Sequence, residues 1–229
     1  MRHQSPLALP PPAGAAHWGE EVLFNAKIVD ALSSVNAAFI ALAIDLACAR
    51  PGVPVLGLPA RTLAPLQRCP ASALRLPLPY ALFDLRFRDA RFWQLETRAA
   101  RGIQDGATQL VADSRLLRFA RSGLMLAWHL AQLDPRVARL ALGVGPLTQA
   151  ALESLPVGAL DALARRLAPA VSARFATRQR FWSQLIATLR MPQEADRLQR
   201  LKLLGLQLQG AEVARAQQLH RRLRRSAQA

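Results

Sequence analysis

The sequence predicts a mainly α fold: two tandem helical units with short extended arms, followed by a basic helical C-terminal segment. Three observations predict it. Apolar residues recur at three- and four-residue spacing over residues 20–50, the period of a helix. The second half repeats landmarks of the first in the same order, and the stretch after residue 190 has no counterpart upstream and ends in clustered arginines.

Residues 1–17 contain Pro6, Pro10, Pro11 and Pro12 and lack periodicity, so they are expected to be a disordered lead with no continuous apolar signal segment. The first unit is expected over residues 18–96. Its helix is marked by Val22, Leu23, Ile28, Val29, Leu32, Val35, Phe39, Ile40, Leu42, Ile44 and Leu46, and Pro51-Gly52 stops it. Residues 53–79 carry Pro54, Pro59, Pro65, Pro70, Pro77 and Pro79, which limits helices there to short pieces because proline lacks the amide donor. The aromatic stretch 80–87 reads as a short strand or an extended arm, with Phe92-Trp93-Gln94-Leu95 after it. Residues 97–113, with Gly102 and Gly106, read as a linker, and residues 114–190 as the second unit. In residues 191–229 the spacing of Leu198, Leu201, Leu203 and Leu204 predicts a helix, with a break expected at Gly205 or Gly210 and a second helix from Ala211. Residues 197–219 thus outline a helix-turn-helix.

The internal repeat rests on co-linear matches. Residues 38–47 answer to 123–131, Pro51 to Pro135, and Leu56-Gly57-Leu58 to Leu142-Gly143-Val144. Residues 66–70 answer to 152–156, Arg86-Phe87 to Arg174-Phe175, and Phe92-Trp93 to Phe181-Trp182. The offset runs only from 84, between the prolines, to 89, between the Phe-Trp dipeptides, as a few short loop insertions would produce.

The formal net charge is +15, from 30 basic and 15 acidic residues, and points to an anionic partner, nucleic acid first. Lysine occurs only at Lys27 and Lys202, so the charge is almost all arginine; a GC-rich coding sequence would give the same bias, and the positions of the arginines count for more than their number. Cys48 and Cys69 are too few for a disulfide scaffold or a zinc site, which fits a reducing cytoplasm. The apolar run 37–44 ends at Asp45, short of the roughly 20 residues of a spanning helix, so no membrane association is expected. His3, His17, His129 and His220 stand apart with no nucleophile arrangement, and His129, beside Trp128 and Leu130, reads as a partly buried structural histidine. Leu142-Gly143-Val144-Gly145-Pro146 lacks the third glycine of a dinucleotide loop. No enzyme, cofactor, metal or small-molecule substrate is expected.

Two arginine groups are the candidate DNA-binding residues. Arg215, Arg221, Arg222, Arg224 and Arg225 form a basic tail, read as phosphate contacts or as a solvated helix end where cations suit the dipole. Arg174, Arg178 and Arg180 interleave with Phe175, Phe181 and Trp182, whose foremost reading is core or interface packing.

The order of motifs in each unit resembles the FlhD subunit of the flagellar master transcription regulator. Copy one carries Asn36-Ala37-Ala38-Phe39-Ile40-Ala41-Leu42-Ala43, Leu56-Gly57-Leu58 and Leu85-Arg86-Phe87-Arg88-Asp89; copy two keeps Leu126-Ala127, Asp134, Leu142-Gly143-Val144, Leu155 and Ala173-Arg174-Phe175. Val55 and Ala141 stand where that family usually places an arginine before the Leu-Gly turn. The resemblance implies a helical subunit that dimerises through its long helix and arm, and that binds DNA with a zinc-containing FlhC-like partner as an activator of flagellar or conjugative-element genes. Tandem copies could then pair within one chain as a pseudo-dimer, or between chains as a homo-oligomer. The alternative is a protein-interaction or scaffold subunit of a secretion or conjugation system.

Overall fold

The computed structural model describes residues 26–101 and 113–226, and the side chains of residues 26–99, 113–212 and 214. The lead over 1–17, the onset of order at Trp18 and the glycine-containing part of the linker lie outside the described residues. The fold is mainly helical, in the order α1 (Ala26–Ala49), α2 (Ala60–Leu66), β1 (Phe83–Asp84), α3 (Ala90–Arg101), α4 (Ser114–Leu133), α5 (Pro135–Leu142), α6 (Pro146–Ser154), α7 (Leu160–Leu167), β2 (Ser172–Ala173), α8 (Gln179–Arg190) and α9 (Ala195–Ser226).

The long helices α1 and α4 pack on each other at the centre. From α1 come Leu32, Phe39, Ile40, Leu42 and Leu46, positions that the helical period marks, all buried, with Ala43 beside them. By length and composition α1 would also serve as a membrane-crossing helix; in this fold half of that window is buried within the protein. Opposite it, α4 buries Phe119, Leu124, Ala127 and Leu130. Phe39, Phe83 and Phe119 meet between the two helices, with Phe39 and Phe119 ring centres 5.4 Å apart and Phe83 and Phe119 edge to face at 5.1 Å. Gly123 of α4 lets this happen, because a Cβ there would stand 3.0 Å from the Phe83 ring.

Proline shapes the stretch between α1 and β1 as expected. Pro65 sits in the last turn of the seven-residue α2, and after Pro70 only a single 3-10 turn forms before the arm. The arm is an extended strand of minimal length. β1 pairs antiparallel with β2, Phe83 opposite Ala173 and Asp84 opposite Ser172. Asn36, buried in the middle of α1, holds the approach to β1: its Nδ2 donates to the Tyr80 carbonyl at 2.9 Å, and its Oδ1 accepts from Leu82 N at 2.8 Å. An asparagine inside a helix is thus paired with backbone groups that would otherwise be buried unsatisfied.

After each strand the backbone makes the same turn. Arg86 (φ 55°) and Phe175 (φ 58°) are both left-handed. Seven residues later stands a tryptophan whose indole N–H donates back to that carbonyl, Trp93 to Arg86 at 2.9 Å and Trp182 to Phe175 at 3.1 Å. This shifts one sequence match by a residue: backbone geometry equates Arg86 with Phe175, not with Arg174. Contacts also cross between the halves. Ala173 N donates to Leu56 O at 2.7 Å while Ala81 N donates to Ala141 O at 2.8 Å, so each arm lies on the turn of the other half. Helix α3 packs on α6, and α8 on α2. Among the described residues, the buried apolar side chains other than Ala73 join one continuous core.

Two expectations are corrected. Residues 97–101 belong to α3 instead of a linker, and α4 begins after Asp113, whose side chain caps it by accepting from Arg115 N at 2.9 Å. The helix-turn-helix expected over 197–219 is absent: α9 runs unbroken through Gly205 and Gly210. Gly205 serves close approach, since a Cβ there would overlap the Tyr80 ring, and the tertiary contact outweighs the helix-weakening tendency of glycine.

Gly205→Ala is therefore expected to destabilise the protein by about 1–3 kcal/mol through overpacking. Gly210→Ala, where a Cβ meets nothing, should stabilise it by about 0.5–1 kcal/mol; urea midpoints of the two variants check the opposite signs. Asp113→Ala should cost about 1 kcal/mol at neutral pH through loss of the cap. The Arg115 side chain, and then its backbone N–H, hold the Asp113 carboxyl at about 2, below the ordinary 3.8. That stabilisation is present above 3.8 and is lost as pH falls through about 2, so the gap between wild type and variant in urea should close over this range.

Candidate nucleic-acid interface

Of the arginines expected to contact DNA, the described side chains fall in two environments. Arg178 and Arg180 are exposed at the start of α8, Arg178 as the residue before its first turn. The backbone of Arg215, Arg221, Arg222, Arg224 and Arg225 lies on α9, and their side chains are outside the described set. Arg174 is a correction. It is 2 % exposed and follows directly on β2, where phosphate has no access to it.

What surrounds Arg174 explains its burial. Nη1 donates to the Ala141 carbonyl at 2.9 Å, Nη2 to Glu212 Oε2 at 3.2 Å, and the guanidinium carbon stands 4.9 Å from the Phe175 ring centre. Burial pulls its proton affinity down from the ordinary arginine range, opposed by the Glu212 carboxylate. Glu212 is shared: its Oε1 accepts from Arg88 Nη1 at 2.7 Å, and Arg88 Nη2 reaches Asp84 Oδ2 at 3.3 Å. For Arg88 desolvation acts downward, but Glu212 and Asp84 overcome it and the guanidinium is held more firmly protonated than usual. The chain Arg174, Glu212, Arg88, Asp84 thus links β1, β2 and α9 through alternating charges.

The Gly-x-Gly sequence has a structural meaning in the same place. Gly143 ends α5 in the left-handed conformation (φ 71°), and a Cβ on it would overlap the Arg174 guanidinium; Gly145 precedes α6, which Pro146 opens. Gly143, and not Gly145, makes room for an arginine.

Three further contacts fix α9 along one face. Tyr80 Oη donates to the Leu201 carbonyl at 2.7 Å, Gly205 lies under the Tyr80 ring, and Gln209 Nε2 donates to the Leu140 carbonyl at 2.6 Å. Burial raises the Tyr80 phenol well above its usual value, with Arg174 acting the other way. Leu201, Gly205, Gln209 and Glu212 recur at helical spacing, so the helix is docked by one stripe.

The aromatics interleaved with the second arginine group are core, as their foremost reading held: Phe175, Phe181 and Trp182 are all buried. His129 is exposed on α4, whereas its neighbour Trp128 is half-buried and donates to Leu155 O at 3.0 Å. Cys48 is exposed and Cys69 buried, both free. Among the described residues no group of His, Cys, Asp or Glu side chains converges as a metal site. Arg91 was missed by sequence reasoning. It is exposed as the second residue of α3, the position that Arg180 holds in α8. The offset of 89 between the Phe-Trp dipeptides already paired them.

Glu212→Gln is expected to lower unfolding free energy by about 2 kcal/mol, because a buried guanidinium loses its charged acceptor. Arg174→Met should be destabilising too, but the double variant less so than the sum, giving a coupling of about 1–3 kcal/mol in a urea-unfolding cycle.

Comparison of the chain with protein-family models, curated proteins and solved structures gives no match.

Proposed function

We propose that the chain is a DNA-associated transcription regulator subunit acting in the cytoplasm with a protein partner, the FlhC-like type that the resemblance implies, and that it is built as an intrachain pseudo-dimer of two divergent copies. Duplication is supported by the repeated left-handed turn and back-bonded tryptophan at one offset, and by reciprocal contact of each arm with the opposite Leu-Gly turn. A two-fold also suits the strand pairing, since shifting the pair Phe83 and Ala173 by 89 residues forward and back gives Ser172 and Asp84, the other pair. Two halves that exchange arms in this way act as a single-chain counterpart of a symmetric dimer.

The DNA part rests on one observation: a net charge of +15 of which arginines such as Arg91, Arg178 and Arg180 remain on the surface. Exposed guanidinium groups bind phosphate well and release its counterions. In a pseudo-dimer, Arg91 and Arg180 are equivalent positions, which suits a ligand with its own two-fold backbone. An interaction or scaffold subunit is the second reading, favoured by the apolar exposure of Leu95, Leu133 and Leu147.

Retention on the chain's own upstream DNA and on scrambled DNA across a salt series tests the proposal. Binding is expected to prefer the upstream DNA and to tighten with a co-encoded partner. Replacing Arg178 and Arg180 by alanine should flatten the slope of log affinity against log salt by about 0.9 per lost contact, with helix content unchanged. Equal, weak binding to both DNAs that disappears at moderate salt would move the assignment to the scaffold reading.

A further inference from the structure

Helices α3 and α8 hold the same place in the two halves, yet only α8 is covered by α9. The comparison is between positions 89 apart. On α8, Phe181 and Thr188 are buried and Gln184 is half-buried; their counterparts on α3 are Phe92, half-buried, Ala99, exposed, and Leu95, 55 % exposed. Helical spacing puts Phe92, Leu95 and Ala99 on one stripe. On the opposite side of each helix the tryptophans Trp93 and Trp182 are equally buried. Among the described side chains the two helices thus differ at this stripe and at Arg98, exposed where Ala187 is half-buried, and α9 packs on α8 without comparable packing on α3.

The rim of the open stripe is cationic. Arg91 and Arg98, seven residues apart on α3, edge it along one side and are exposed, and the Arg86 guanidinium stands 5.2 Å from the Phe92 ring centre. On the covered side, the helix that docks brings an acidic residue, Glu212, to Arg174 and Arg88. An apolar stripe of one helical width edged by arginines along one side fits the apolar face of a helix with an acidic flank.

We propose that the Phe92, Leu95 and Ala99 face of α3 is a docking site for an acidic amphipathic helix of a partner protein, which takes on α3 the position that α9 takes on α8. The inference rests on the duplicated reading and names the chemistry of the partner in the proposed regulator. The partner helix supplies leucine-type side chains at three- and four-residue spacing for Phe92 and Leu95, and carboxylates for Arg91 and Arg98. Arg91 is common to this face and to the exposed arginines proposed for DNA, so DNA contact is read on Arg178 and Arg180, which lie on α8 and at its start, away from the stripe, and either assignment can fail without the other.

The test uses the full chain and a fluorescein-labelled 18-residue helical peptide with leucines on one face and glutamates elsewhere, read by anisotropy. A scrambled peptide of the same charge and a version with lysines for glutamates are the comparisons. The acidic amphipathic peptide is expected to bind, the other two not. Leu95→Arg should weaken it by roughly tenfold or more, about 1.4 kcal/mol, although the variant adds positive charge and would strengthen generic attraction. Leu203→Arg, at an exposed position of α9, should leave binding unchanged. Arg91→Glu with Arg98→Glu should transfer preference to the lysine peptide. Binding of the scrambled peptide equal to the amphipathic one, or Leu95→Arg without effect, overturns the proposal. So does self-association in sedimentation that Leu95→Arg abolishes, because the occupant would then be a second copy. DNA retention of Leu95→Arg should equal that of wild type, and loss of DNA binding without loss of peptide binding would likewise overturn it.

Discussion

A buried permanent cation organises the fold. An arginine cannot shed its proton at ordinary pH, so removing Arg174 from water demands partners in place, and the protein supplies them from three separate parts of the chain: the Ala141 carbonyl, the Phe175 ring and the Glu212 carboxylate. Each has its own requirement. Gly143 must lack a side chain beside the guanidinium, α5 must end where it does, and α9 must lie in register to deliver Glu212. The strands that cross at the same place could otherwise be paired in several registers, being only two residues long. Specificity that so short a sheet cannot supply comes from the polar network around it.

The arms themselves are held from both sides. Asn36 reads the backbone of residues 80 and 82 from α1, and the Leu-Gly turns read the opposite arms. The helices following the arms, α3 and α8, pack on α6 and α2 across the molecule, so the core draws on both parts of the chain. A division into two independent beads, natural for tandem units in sequence, does not describe this packing.

Much of this was legible in the sequence and some was not, for physical reasons. The helices were legible because burial of one face leaves a period that composition cannot hide, as in α1 from Leu32 to Leu46. The Phe-Trp matches were legible because an indole N–H in a core needs an acceptor, which ties the tryptophan to a fixed backbone turn. Arg174 was misread since its partners lie 33 and 38 residues away, and sequence gives no sign that an arginine among aromatics faces inward. Local propensity favours a break at Gly205 or Gly210; the Tyr80 ring beneath Gly205 is 125 residues distant in the chain. The pairing of Arg86 with Arg174 matches letters, whereas the left-handed backbone angle occurs at Arg86 and Phe175.

The notch at Gly205 also makes α9 a ruler. A helix that slid by one turn would bring Leu201 or Gln209 under Tyr80, and either side chain would be stopped by the ring. The register is therefore all or none, and everything on α9 is measured from that point. At about 1.5 Å of rise per residue, the backbone of Arg215 stands about 15 Å along the axis from the notch and that of Arg225 about 30 Å. Insertion of a single residue between Glu212 and Arg215, beyond the last docked contact, would rotate the basic segment by about 100° while leaving the docked stripe untouched, so the angular phase of that segment relative to the rest of the protein is encoded by length alone.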